Sequence, residues 1–223
     1  MSRSIKDRFN IGASHTIGSY LLAGAPLETI YENVHQRVKV SVFACHEILS
    51  ALKTKQLDLG FVESPPFDEE LHYTLWQEDE LVLCAKNPLP TTLHKEDFKT
   101  CRLVCPQHPS QERRTLEAFL KAQGIALQDF HTLSQVDNPT AIIQSIKWSR
   151  TNAPIRSVAL VSKLAIEHEL QNQSLYASSI EHQTLKKKLY IVQRLESHQT
   201  KKFQNLIQRL VELTHNCSDG GHS

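Results

Sequence analysis

Residues 11–22, IGASHTIGSYLL, change character within five positions, and the reading of the chain turns on them. Phe9 and Ile11 alternate with polar neighbours as in a β-strand. Gly12-Ala13-Ser14-His15-Thr16 is small and polar, and Ile17, Tyr20 and Leu21 then recur at helical spacing. A strand that passes into a helix through Ser, His and Thr offers backbone N–H groups and hydroxyls at the place where a small anion binds. The same residues also make an ordinary helix cap, so the choice rests on the remainder of the chain.

The same alternation continues beyond residue 22. VKVSVF (38–43) is rich in β-branched residues and reads as a strand. HEILSALKTKQ (46–56) reads as a helix with Ile48, Leu49 and Leu52 on one face, and LDLGFVES (57–64) as a short apolar strand of the kind buried in a parallel sheet. This is a βαβαβ unit. LHYTLWQ (71–77) and ELVLCA (80–85) read as two strands parted by the charged Glu78-Asp79, and Pro88 and Pro90 then mark a hinge. A second alternating set begins with CRLVC and ends with the helix KLAIEHELQ (163–171). The chain closes with a strand, LKKKLYIVQ (185–193), and an amphipathic helix over 197–214 striped by Phe203, Leu206, Ile207, Leu210 and Val211. NCSDGGHS (216–223) reads as a frayed tail. The last strand and helix have no partner unless they return to the first unit. Two units are therefore expected, residues 1–86 with 191–223 and residues 87–190, with the chain crossing between them twice.

With 223 residues, 25 Lys and Arg against 24 Asp and Glu, and no long block of one sign, the composition carries no nucleic-acid footprint. No stretch approaches a membrane span, and the first ten residues lack a signal-peptide core, which predicts a soluble, cytoplasmic chain. Five cysteines, Cys45, Cys84, Cys101, Cys105 and Cys217, lack a disulfide-framework spacing and read as free structural thiols. Cys101, Cys105 and His108 superficially resemble a metal cluster, but the two thiols lie on one strand. No nucleophile elbow, Walker loop, dinucleotide fingerprint or zinc-protease motif occurs, so no enzyme and no cofactor are predicted. Trp76 reads as packing, and the lysines of LKKKL as a solvated face.

Ligands of parallel α/β sheets collect beyond the carboxyl ends of the strands. Four such exits are polar here: Ser14-His15-Thr16, Cys45-His46, Ser110-Gln111, and Gln135 to Asn138. His46 and Ser110 each stand where an N-cap would, with Glu47 and Glu112 behind them. Ser14, His15, Thr16, His46, Ser110, Gln135 and Asn138 are thus the candidate contacts of a small anion in a cleft between the units.

The order and spacing of FNIGASHTIGSYLL, HEILSALKTKQLDLGFVESPP, LWQEDELVLCAKNPLP, VALVSKLAIEHEL and LKKKLYIVQRLESHQTKKFQNLIQRL resemble the effector-binding domain of LysR-type transcriptional regulators. GASHTIGSYLL is most similar to the branch that includes regulators of sulfur assimilation and carbon fixation. The resemblance implies a type II periplasmic-binding-protein fold, two Rossmann-like subdomains joined by two crossing strands. It also implies an effector between them, and a winged helix-turn-helix on the full-length protein that this chain does not contain, so that DNA is a partner only through that head. It further implies a homodimer in which the helix over 46–55 of one copy lies beside the helix over 163–170 of the other, through Leu49, Ser50, Lys53, Leu164 and Glu167. The sequence allows this if Leu49, Leu52, Leu164, Ile166 and Leu170 exceed what one buried face requires. One departure stands out: where the family usually has Gly-x-Gly before VALVSK, this chain has Ile155-Arg156-Ser157. The competing readings are a transporter's solute-binding protein, which needs a leader or anchor, and an interaction domain without a ligand.

Overall fold

A computed structural model describes residues 8–218, and side chains to residue 214. The chain forms two compact units, Met1–Glu78 with Lys187–Ser223, and Asp79–Lys186. The boundaries read from the sequence fall eight and four residues further along the chain.

In the first unit, strands β1 (Arg8–Ala13), β2 (Arg37–Val42) and β3 (Leu59–Glu63) pair in parallel in the order β2-β1-β3. A five-residue π-helical turn (Ile17–Leu21) and α1 (Ala25–Val34) connect β1 to β2, with Pro26 in the first turn of α1, where its missing N–H costs nothing. α2 (Cys45–Lys53) connects β2 to β3. Ile48, Leu49 and Leu52 of α2 are all buried, against Leu57, Val62, Leu71 and Val192, each worth about 1.5–3 kcal/mol when fully buried. That contact needs a bare backbone beneath it: a Cβ on Gly60 would lie 2.8 Å from Ile48 and 2.9 Å from Leu52.

β4 (Leu71–Ala85) is one strand of 15 residues, not two. Glu78-Asp79 does not break it because the charges are accommodated in place. The buried Asp79 carboxylate accepts the Glu80 N–H at 2.8 Å, and Glu80 meets Lys163 at 3.1 Å. β4 leaves the first unit between Glu78 and Asp79.

The second unit continues with β5 (Thr92–Leu93), a 3₁₀ turn (Lys95–Thr100), β6 (Cys101–Pro106), α3 (Gln111–Ala122), β7 (Thr132–Val136), α4 (Pro139–Lys147) and β8 (Arg156–Ser162). β6 pairs in parallel with both β7 and β8, and β8 runs antiparallel to β4. The expected helix over 163–171 is a 3₁₀ turn (Leu164–Ile166) followed by a single short helix, α5 (Glu167–Gln171). β9 (Tyr176–Ile180), small and polar as YASSI, carries no strand signature in sequence and pairs with β4 and β5. Leu83, Phe98, Leu103, Leu116, Leu120 and Val158 head the core of this unit.

β10 (Leu185–Arg194) brings the chain back, antiparallel to β3 with Leu189 opposite Glu63. The closing helix is split into α6 (Leu195–His198) and α7 (Lys201–Ser218), so the segment read as a tail is helical to Ser218; residues 219–223 lie outside the described residues. Leu206, Ile207 and Leu210 of the expected stripe are buried. Trp76, 2% exposed, packs edge-on against Phe61 and donates its indole N–H to the Leu210 carbonyl at 3.0 Å.

Candidate functional site

In the first unit the site begins where β1 ends. The Ser14 N–H extends the strand pairing to the Phe61 carbonyl at 2.9 Å, and the Ser14 carbonyl accepts the Gly18 N–H at 2.8 Å to start the turn. The Ser14 hydroxyl caps nothing; it donates to Glu63 Oε1 at 2.8 Å. Thr16 caps nothing either, and its hydroxyl adds to the hold on the Glu63 carboxyl. Lys187 closes the group from β10, with Nζ 2.9 Å from Glu63 Oε2. Burial pushes the Glu63 carboxyl up, but Lys187 and the two hydroxyls outweigh it and hold the group below the usual carboxylate range. The Cys45 thiol is pushed up by burial and by the Glu63 charge.

These bonds revise the expectation of a capped helix with hydroxyls free for an anion. The proton of Ser14 already goes to a carboxylate of the chain itself, and what remains on its oxygen is lone pairs that accept. His15 is exposed. His46 is not an N-cap: the residue with extended geometry is Ala44, ψ 153°, whose N–H is accepted by Glu47 at 2.9 Å, and His46 lies exposed in the first turn of α2.

In the second unit the cap expected at Ser110 is present, and Asn138 supplies another. The Ser110 hydroxyl accepts the Arg113 N–H at 3.0 Å, and the Asn138 side-chain carbonyl accepts the Ala141 N–H at 2.8 Å. α3 and α4 leave the carboxyl ends of adjacent parallel strands, so both positive helix ends lie along one edge. Gln135, opposite Cys105 across β6–β7, is exposed beside that edge.

Sequence reasoning misses Glu63 and Lys187. The signal is there: an acid closing the apolar run LGFV needs a counter-charge, and strand alternation sends the middle lysine of LKKKL to the opposite face from its neighbours. Lys186 and Lys188 are the exposed face expected, while Lys187 is half-buried.

The four described cysteines are free thiols, with Cys84, Cys101 and Cys105 buried. Burial pushes all three up, Cys84 to about 12. Arg113, itself buried, donates to Cys105 Sγ at 2.9 Å and pairs with Glu117 at 2.6 Å. The Cys217 side chain lies outside the described residues. Among the described residues no group of His, Cys, Asp or Glu could hold a metal ion, and no helix is long and apolar enough to cross a membrane.

The residues named for a contact between two copies do not present the apolar surplus expected. Leu49 is 7% exposed and Leu52 fully buried, both turned inward against their own unit, and Ile166 is buried too. Lys53 is engaged by Asp68 of the same chain at 2.7 Å. Leu164 is half-buried, and Ser50 and Glu167 are exposed.

A family model described as the LysR substrate binding domain matches residues 2–214. Among curated relatives, the HTH-type transcriptional regulator CysL of Bacillus subtilis (strain 168) is 25% identical over 191 residues, 83% of this chain and 60% of its own length. YeiE of Escherichia coli (strain K12), an uncharacterized HTH-type transcriptional regulator, is 24% identical over 207 residues, 91% of this chain and 66% of its own. The chain thus spans 60–66% of the length of these relatives. Among solved structures, the regulatory domain of CcmR from Synechocystis PCC6803 in complex with 2-PG aligns with a TM-score of 0.72 at 16% identity, covering 94% of this chain and 98% of that one. The regulatory domain of NMB2055 (MetR) from N. meningitidis aligns at 0.70 with 17% identity, covering 94% of each.

Proposed function

The chain belongs to the LysR substrate-binding domain family, and on that premise we propose that it is the effector-sensing part of a cytoplasmic transcriptional regulator whose ligand is a small anion carrying a hydrogen-bond donor. The observation that carries the reading is the pair of capped helix starts at Ser110 and Asn138 on one edge of the second unit, which supply N–H groups and positive helix ends to an anionic group. Gln135 adds an amide beside them. The first unit is assigned the complementary chemistry: Ser14, with its proton committed to Glu63, accepts from a hydroxyl or ammonium group of the ligand, Thr16 lies beside it, and His15 and His46 stand exposed after β1 and β2. The solved neighbour bound to 2-PG supports an anionic class.

Control of transcription belongs to the whole protein and is proposed here from its relatives, as is contact with DNA through a segment outside this chain. Pairing of two copies is supported by the family resemblance alone. Ser50 and Glu167 are its exposed contacts, and sedimentation at micromolar concentration tests it: a monomer removes the pairing.

The effector reading is tested by titrating the chain with 2-PG and a panel of small hydroxy- and amino-carboxylates, read by thermal shift and calorimetry. A charge-assisted bond contributes about 1.5–3 kcal/mol, so substituting Ser110→Ala together with Asn138→Ala should weaken the best ligand at least about tenfold. Ser14→Ala with Thr16→Ala should weaken donor-bearing ligands more than ligands without a donor. Unchanged affinity in both double variants refutes the site.

A further inference from the structure

The second unit carries a cationic groove that the effector reading does not use. It lies at the amino ends of β6 and β8, where Cys101 stands opposite Arg156, and thus at the other end of these strands from Ser110. Its volume is about 240 Å³, and Lys86, Arg150 and Arg156 line it together with the hydroxyls of Thr100, Ser149 and Ser157, with no aspartate or glutamate among the lining residues.

The chain itself leaves the three cations short of partners. Lys86 donates to the Lys147 carbonyl at 2.8 Å, which fixes it at the last turn of α4 and leaves two N–H groups unspent. Arg150 and Arg156 make no hydrogen bond or ion pair with any described residue, although Arg156 is half-buried. The nearby carboxylate, Glu169, is taken by Lys147 at 2.9 Å. A guanidinium half-withdrawn from water without a partner is unfavourable, and the exposed Arg150 and the half-buried Lys86 ammonium around the same small cavity add like charge to that cost. Only an anion relieves all three at once. The segment is also the one where this chain departs from the pattern of the family it resembles, with Ile155-Arg156-Ser157 placing side chains at the start of β8 where glycines would leave the backbone bare.

We propose that this groove is a second anion site, distinct from the effector contacts, that takes inorganic phosphate or the phosphate group of a small phosphorylated metabolite. Planar guanidinium groups engage phosphate oxygens in pairs, and the Ser149 and Ser157 hydroxyls supply shorter bonds to the remaining oxygens. The volume admits a phosphate with a few carbons, and its concavity suits a small ligand rather than the convex backbone of a nucleic acid duplex.

A built-in reporter adjoins the site. Trp148, 77% exposed, lines a neighbouring groove of about 460 Å³ that shares Ser149, Arg150 and Ser157 with the first, while the other tryptophan, Trp76, is 2% exposed in the first unit. Tryptophan emission is therefore followed while inorganic phosphate is titrated against sodium chloride at constant ionic strength. The expected result is a saturable change in the natural chain, weakened at least tenfold by Arg150→Gln and by Arg156→Gln, and retained in the Ser110→Ala, Asn138→Ala double variant. Arg150→Lys and Arg156→Lys, which keep the charge but lose the planar fork, should fall between. Broadening of the phosphorus resonance of free phosphate by the natural chain, relieved in the lysine variants, gives the same answer should a glutamine variant fail to fold. A response no different from chloride overturns the proposal. So does phosphate binding that survives both arginine substitutions and vanishes with Ser110 and Asn138, or a duplex DNA that binds through the same arginines while free phosphate does not.

Discussion

Substituting Lys187→Met removes the counter-charge from Glu63 while keeping the length and much of the apolar stem of the side chain. At an effective dielectric constant of about 20, attraction across a gap of the observed size is about 6 kcal/mol before desolvation is subtracted. The pair is 2.9 Å apart, with side-chain exposures of 22% for Lys187 and 18% for Glu63. Removing one partner of a fully buried pair costs about 3–5 kcal/mol, and of an exposed pair about 0–1. Intermediate burial, together with the two hydroxyls that continue to hold Glu63, places the expected loss at about 2 kcal/mol at pH 7. The pH dependence has a definite sign. Glu63 is held below its ordinary range in the natural chain, so its contribution is present above the unfolded carboxyl value and fades as pH falls through the folded one. Without Lys187 the folded value moves up, so the variant loses less than the natural chain as Glu63 takes up a proton. Urea unfolding of the natural chain, Lys187→Met, Glu63→Gln and the double variant at pH 7 and pH 4 measures this. The difference between the natural chain and Lys187→Met should shrink at pH 4, and the two single losses should exceed the double loss by at least about 1 kcal/mol. A loss of equal size at both pH values, with additive singles, would refute the assignment of Lys187 as the counter-charge.

The packing sets three further outcomes. Ser110→Ala and Asn138→Ala should each lower stability by about 1 kcal/mol and add in combination, because they cap separate helices; urea midpoints with unchanged slopes would show it. Gly60→Ala should cost about 1–3 kcal/mol, since the new methyl meets Ile48 and Leu52 on a helix held by three buried side chains; a neutral substitution would mean that α2 shifts freely. Alkylation under native conditions should be slow at Cys84, Cys101 and Cys105, and peroxide should not link the last two. Four residues along an extended strand are about 13 Å apart, beyond the roughly 7 Å that a disulfide spans, so a bond between them in the folded protein would contradict β6.

The legible parts of the chain are those where periodicity and punctuation agree. The parallel strands β1, β2 and β3, the caps at Ser110 and Asn138, and the return of the last strand and helix all announce themselves by alternation, by N-cap residues or by the lack of any other partner. What escapes is decided by contacts distant in sequence. Glu78-Asp79 reads as a break because charges are rare inside a strand, yet the neighbouring Glu80 is received by Lys163, far along the chain. YASSI gives no strand signal because β9 is held by Ser178, whose hydroxyl reaches the Pro90 carbonyl at 2.6 Å, rather than by apolar alternation. Ser14 and Thr16 are recognisable as polar at a strand exit, but their partner cannot be read without knowing that Glu63 ends the neighbouring strand and that Lys187 returns opposite it. His46 is misplaced by two residues because Ala44, which has no side-chain acceptor, begins the helix.

The return of β10 and α7 to the first unit also fixes an order of completion during synthesis. Apart from the two crossing strands, β4 and β10, every strand of the second unit lies between residues 79 and 186, so that unit holds almost all of its sheet once its own residues have emerged. The first unit, although its first strands are translated earlier, lacks the strand opposite Glu63 and the carbonyl that receives the Trp76 indole until β10 and α7 have left the ribosome. Until then its apolar sheet face and Trp76 stand uncovered, and a chain stopped before α7 leaves them so permanently. Loss of α7 therefore damages the unit whose first strands, β1 to β3, are translated long before it.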